Sequence, residues 1–250
     1  MQQHAEYFHQ ARIEKNFLVV SNYYNDLSWL SDYTKHYIIY DQSGSEIYPP
    51  KINPHQVVKS EHLGHNIRDF CTYIVDHYES LPERMIFASG NIFPRFISRN
   101  RFDLLVNATE FTPLTDMRRH KSGWPIAYFT DDGFMHELNS SWYLAHHPTK
   151  YFHDFNDFLK FCFVNPKLPW YTRFAPGANY IVPKENILKL PKLFYQYLIT
   201  FVSHSYTDIQ GESHIIERAF ALLWTSEYTV RQHIHQLLAD SFIAKHLHPV

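Results

Sequence analysis

The sequence predicts an α/β protein: a mostly parallel sheet flanked by helices, followed by a helical C-terminal part. Three observations predict it. Two short apolar, β-branched runs, FLVVS at 17–21 and YIIYD at 37–41, are separated by a segment with helical periodicity. A longer helix-period stretch, 66–80, leads into a third apolar run at 85–89. The last third of the chain reads chiefly as amphipathic helices. Strand, helix, strand in succession is the signature of parallel strands whose carboxyl ends share one crevice.

Taken in order, strand 17–21 gives way to the polar turn 22–25, and DLSWLSDYTKH places Leu27, Leu30 and Tyr33/Thr34 on one helical face, with Asp26 as an N-terminal cap. Strand 37–41 ends in Asp41. Residues 42–64, rich in Pro, Gly and polar side chains, read as a loop with a short strand near Val57-Val58. Helix 66–80 repeats apolar residues at Ile67, Phe70/Cys71, Ile74/Val75 and Tyr78, and Leu81-Pro82 stops it. Further strands are expected at 104–111, at 124–130 before Asp131-Asp132-Gly133, and within 171–182, entered through Pro176-Gly177. Helices are expected at 154–163, 183–203 and 211–226, with a closing amphipathic segment at 228–247. No linker separates domains, so 1–250 is read as one unit with halves 1–110 and 111–227 and a C-terminal helix at 228–250.

Composition narrows the function. The 250 residues are 45% hydrophobic and 17% aromatic, ample for a core, and a net charge of −2 offers no broad basic face for nucleic acid. Cys71 and Cys162 sit in apolar surroundings and read as buried thiols, consistent with a reducing compartment. The first sixteen residues lack the pattern of a secretion signal, and no apolar run has the roughly twenty residues of a spanning helix, which gives an expectation of a cytoplasmic protein. The 18 histidines, including His62/His65, His146/His147, His233/His235 and His246/His248, repeat no zinc-site spacing. A serine hydrolase is disfavoured because Ala88-Ser89-Gly90 only partly imitates a nucleophile elbow.

The residues VVSNYYNDLSWL, IIYDQS, GHNIRDFCTYIVDHYESLPE, IFASGN, FAPGANYIVPKENIL and GESHIIERAFALLW, in that order, resemble a group of glycosyltransferases from bacterial surface-polysaccharide loci. The resemblance spans about residues 16–225 and implies a compact relative of the GT-A (Rossmann-like) fold, with 1–110 binding the nucleotide and 111–227 the acceptor. It implies inverting transfer of a sugar from a nucleotide-sugar donor to a glycan or lipid-linked glycan acceptor of capsule or lipopolysaccharide. That fold usually ends the strand matching 85–89 in Asp-x-Asp, where two carboxylates hold a cation on the donor diphosphate. Here Ser89-Gly90-Asn91 stands in its place.

Two answers to the missing acids stay open. Backbone amides near Gly90, helix N-termini and a cation among Arg68, Arg95, Arg99, Arg173 and Lys184 would stabilise the phosphate without metal, which is the preferred reading. Alternatively, Asp131 and Asp132 would hold Mn or Mg, although an Asp-Asp-Gly turn is commonly only a turn. The resemblance also implies a general base at the start of helix 211–226, with Glu212 first, His214 as substitute, and Glu217 and Arg218 as a structural pair. A carboxylate favoured by the helix dipole explains Glu212 equally well.

On the nucleotide side, Ser21, Asn22 and Tyr23 follow the first strand where a base or ribose would lie, and Asp41 would accept from uracil or ribose, although capping explains it nearly as well. Asn66, Asp69 and Asn91 would reach ribose or the donor sugar, and Pro176-Gly177-Ala178 either bends the chain or lets backbone approach a sugar. The rival reading is a non-catalytic carbohydrate- or partner-binding protein on the same fold, since Tyr and Trp stack on sugars as well as filling cores. Segment 228–247 is read as packing on the domain, with peripheral contact at the inner membrane or a dimer partner as the other outcome.

Overall fold

The computed structural model describes residues 12–116, 126–139, 147, 149–203 and 211–232. Strands β1 (Phe17–Asn22), β2 (Tyr37–Asp41), β3 (Val57–Lys59) and β4 (Arg84–Ser89) form the parallel part of a six-stranded sheet, with β3-β2-β1-β4 side by side. The one-turn helix α1 (Leu30–Tyr33) connects β1 to β2, and α2 (His65–His77) leads from β3 toward β4. These are the units expected from the alternation of periods 2 and 3.6. Asp26 does not cap the helix as expected: its carboxylate accepts from the Ser28 amide and hydroxyl in the turn before it, and the helix is a single turn that begins after Trp29 without a side-chain cap.

From residue 104 onward the structure departs from expectation in three places. Residues 104–111 are not a strand: Ser98 Oγ accepts from the Arg101 amide and starts α4 (Arg99–Leu105), whose Phe102 is buried. A one-turn α3 (Ile92–Arg95) precedes it, and only β5 (Thr112–Pro113) is extended beyond. Within 171–182 the strand expected after Pro176-Gly177 is present, but a second strand precedes the turn and belongs to another sheet. β8 (Tyr171–Phe174) closes an antiparallel sheet with β6 (Ala127–Phe129) and β7 (Met135–Leu138), while β9 (Tyr180–Pro183) joins the large sheet antiparallel to β4. The turn at Pro176–Ala178 reverses the chain between them, with Gly177 at φ +76°, a conformation that glycine adopts without a Cβ clash. Likewise 183–203 splits at Pro191 into α6 (Lys184–Ile187) and α7 (Lys192–Val202), since proline cannot donate within a helix.

Helices α5 (Phe155–Cys162), capped by Asp154, and α8 (Gly211–Thr225) match their sequence signals. Of the closing segment, residues 233–250 lie outside the described residues. The order of the large sheet is β3-β2-β1-β4-β9-β5, so strands of the second half complete the sheet of the first.

Side-chain alternation gives the sheet two apolar faces. Val19, Met85, Phe87, Tyr180 and Val182 point toward α2, α7 and α8, where Trp224 stacks on Phe87 at 5.7 Å and on Phe220 at 4.3 Å. Leu18, Val20, Ile86, Ala88 and Ile181 face the opposite side, covered by Trp29, Leu30 and Phe102. Burying each large aromatic contributes about 2–3 kcal/mol, which holds the strand ends rigidly beneath the loops. Cys71 and Cys162 are buried free thiols within the first cluster. Among the described residues, no helix is long and apolar enough to cross a membrane.

Candidate functional site

Strand β1 is followed by β2 on one side, while β4 lies on its other side, so the direction of winding reverses between β1 and β4. Loops diverge from such a point and leave a crevice at the strands' carboxyl ends. A cleft of about 740 Å³ opens there. One wall is made by Ser21 from β1 and the Ser89-Gly90-Asn91 turn after β4; the start of α2 contributes His65 and Asn66.

The turn after β4 is held from several directions. The Gly90 amide donates to Ser21 O at 2.7 Å, and a Cβ on Gly90 would fall 2.5 Å from Asn22 Oδ1. Ser89 N donates to Asn179 Oδ1 at 2.7 Å, and Asn66 Nδ2 donates to Ser89 Oγ at 3.2 Å and to Gly177 O. Close approach of the β1 loop, rather than a need for unusual dihedrals, therefore demands glycine at 90. Behind this wall Asp69 is fully buried and accepts from Ser21 Oγ, Gln42 Nε2 and Ser60 Oγ. Burial pushes the Asp69 carboxyl up to about 6 against the opposing pull of those three donors and Arg68.

The facing wall comes from α8 and the small sheet. Glu217 Oε1 accepts from the Gly177 amide, Glu217 Oε2 accepts from Arg218 Nη1 at 2.8 Å, and His214 Nδ1 lies 3.9 Å from Glu217 Oε2. Burial would raise the Glu217 carboxyl, but His214, Arg218 and the Gly177 amide hold it below the usual range. Arg218 Nε donates to Glu137 Oε2 at 2.6 Å, and its guanidinium lies 4.6 Å from the Phe174 ring centroid. Arg218 is thus spent on two carboxylates. His65, beside His214 at 6.1 Å between ring centroids, is pushed down first by burial and then by that neighbouring ring. At the mouth, Tyr23 stacks on His62 at 4.0 Å, and Arg95 lies over Phe96, whose ring reaches Gly177.

Several expected site residues lie elsewhere. Glu212 does not line the cleft: its side chain is buried and its Oε1 accepts from the amides of Lys150 and Tyr151. Asn22 and Asp41 are buried and bonded to each other at 2.7 Å, with Asp41 also accepting from Ser43 and Tyr48, so both anchor loops beside the cleft. Asp69 acts beneath the wall. Arg173 projects from the opposite face of β8 to Phe174, pairs with Asp132 at 2.8 Å and packs over Phe134. Arg68 pairs with Glu61, and Lys184 follows the far end of the sheet, its amide bonded to Glu83 O. Of the five basic candidates, Arg95 lines the cleft. Ser21, Tyr23, Asn66, Ser89, Gly90, Asn91 and His214 line it as well.

Asp132 stays ionised in its hairpin turn: burial opposes this, but Thr130, Arg173 and the Phe134 amide outweigh it. Neither Asp131 nor Asp132 lines the cleft, and the β4 turn offers hydroxyl and amide oxygens without a carboxylate, a poor donor set for Mn or Mg. Gln42, His62, Glu137, Phe174 and Ser213 line the cleft without having been singled out as site residues. The spacing of His214 and Glu217, three apart on one helix, carried a usable signal; the Tyr23–His62 stack had none.

No family model, curated protein or solved structure matches the chain.

Proposed function

We propose that the protein is a nucleotide-sugar-dependent glycosyltransferase whose donor enters between the carboxyl ends of β1 and β4. The observation that carries this reading is the cleft itself: polar strand ends at the winding reversal face a partly buried imidazole–carboxylate pair across one cavity. Tyr23 and His62 offer aromatic faces at the mouth for a base. The first turn of α2 and Arg95 face the cleft where a diphosphate would be held, through oriented N–H groups and a permanent cation.

In the proposed transfer, an acceptor hydroxyl attacks the anomeric carbon while its proton passes to His214. The His214 Nδ1 is turned toward Glu217 and its Nε2 is buried, so the ring must rotate to meet the acceptor. The carbon–oxygen bond to the diphosphate breaks and its electron pair leaves on the phosphate oxygen. Glu217, held ionised by Arg218 and the Gly177 amide, stabilises the imidazolium that forms. This reading moves the base from Glu212 to His214. No step is routed through a metal.

Thermal-shift measurements with nucleotides and nucleotide sugars, in EDTA and in manganese, test the donor site, because a ligand that binds only the folded chain raises its melting temperature. Stabilisation by one nucleotide, together with release or transfer of its sugar that falls about 10²–10⁴-fold in H214A, is expected. Absence of stabilisation by every nucleotide would refute the reading. Binding with no turnover would favour the non-catalytic sugar-binding alternative, which gains support from Glu217 already being engaged by two protein donors.

A further inference from the structure

The chain carries a formal charge of −2, yet its charge is unevenly placed. Stretches 160–170, 184–193 and 226–232 contain six basic residues, Lys160, Lys167, Lys184, Lys189, Lys192 and Arg231, against two acidic ones, Glu185 and Glu227. The fold joins these stretches into one surface. Phe163 bridges to Val230 and packs on Phe194 and Tyr228 at 5.4 and 4.9 Å; Arg231 Nε donates to Lys160 O and Phe163 O; Lys189 Nζ reaches Thr225 O at 3.5 Å.

Large apolar side chains stand out from two of the same stretches, 160–170 and 184–193. Trp170 is 82% exposed, and Val164, Leu168, Leu188 and Leu193 are each more than 40% exposed. The tryptophan is displayed from a fixed backbone: Trp170 O and Pro169 O accept from the amide and side chain of Asn139. An isolated exposed leucine needs no explanation, but five large apolar side chains among six cations make a patch.

We propose that this face docks on an anionic lipid bilayer. Protruding Trp, Leu and Val tips suit a surface that deforms around them, whereas a protein pocket would have to match each tip. Lysines and an arginine around them add attraction to acidic headgroups, and tryptophan favours the interfacial region of a bilayer. The face is separate from the cleft. The Lys184 amide donates to Glu83 O at the amino end of β4, while the cleft opens at the carboxyl end, and Trp170 immediately precedes the strand whose far end, Phe174, lines the cleft. Docking there leaves the cleft open, and the inference stands whether or not the cleft transfers sugars.

The test is co-sedimentation of the full chain with vesicles of phosphatidylcholine alone and with added phosphatidylserine. The expected result is binding to the serine-containing vesicles that weakens with salt. K167E/K189E should weaken it by more than about tenfold, at roughly fivefold for each cation removed from the surface. W170S/L168S should weaken it several-fold while leaving the melting temperature unchanged, since both side chains are exposed. No binding to the serine-containing vesicles, or binding indifferent to both double variants, would overturn the proposal. Equally tight, salt-sensitive binding to polyglutamate that W170S/L168S leaves intact would overturn it in favour of an acidic protein partner.

Discussion

Asp69 supports the cleft wall from within, and replacing it by asparagine separates its charge from its hydrogen bonds. Its Oδ2 accepts from Ser21 Oγ and Gln42 Nε2, and its Oδ1 from Ser60 Oγ. An asparagine oriented with its oxygen toward Ser21 and Gln42 would keep both bonds, and its amide would donate to the rotatable Ser60 hydroxyl. The carboxyl sits at about 6 in the folded protein, chiefly because of burial, against about 3.9 unfolded. A raised carboxyl pKa contributes stability that is complete below the unfolded value and is lost as pH rises through the folded one. Two units at about 1.36 kcal/mol each make that loss about 3 kcal/mol between roughly pH 4 and pH 7. Urea unfolding of the parent chain and D69N across this range measures it. The stability of D69N relative to the parent should rise by about 3 kcal/mol toward neutral pH. A difference that stays flat with pH would refute the assignment of the charge cost to burial at Asp69. D69A, by contrast, strips three donors of their acceptor and should destabilise at every pH.

Other substitutions probe the opposite wall and the core. R218M leaves Glu137 and Glu217 buried without their shared cation and should lower stability by roughly 3–5 kcal/mol in urea unfolding; a loss below about 1 kcal/mol would show that the carboxylates find other partners. Gly177 combines φ +76° with neighbours 2.5 and 2.8 Å from an added Cβ, Asn179 Nδ2 and Phe96 Cζ. G177A should therefore cost about 1–3 kcal/mol and reduce binding of any cleft ligand, and an unchanged melting temperature would contradict this. Burial pushes both the Cys71 and Cys162 thiols well up, so labelling by thiol reagents should track global unfolding. Rapid labelling under native conditions would disprove that burial.

How much of the site was legible depended on what kind of signal each residue left. Ser21, Asn66 and Ser89-Gly90-Asn91 could be placed because they end or begin elements whose periodicity is strong, and the ends of parallel strands share one edge. Arg173 could not, because a strand's side chains alternate and the sequence does not say which face of β8 meets the cleft. Glu212 and Glu217 show the same limit on a helix. Five residues apart, they point about 140° from each other, so at most one faces a given cavity. An amphipathic helix would reveal which, but α8 is buried nearly all round, including Glu212 and Arg218, and its pattern marks no cleft face.

The sequence by itself determined the opening β1–α1–β2 unit, helix α2, the strand leading to Ser89 and the two buried thiols, all consequences of local periodicity and apolar content. Only the tertiary structure decided that β9 runs antiparallel beside β4, that Arg218 is shared by Glu137 and Glu217, and that His214 rather than Glu212 faces the β4 turn. Those outcomes follow from contacts between segments far apart in the chain, such as Arg218 with Glu137, 81 residues away. No window of local sequence encodes which of several buried polar groups will meet, because that is settled by the packing of elements against one another.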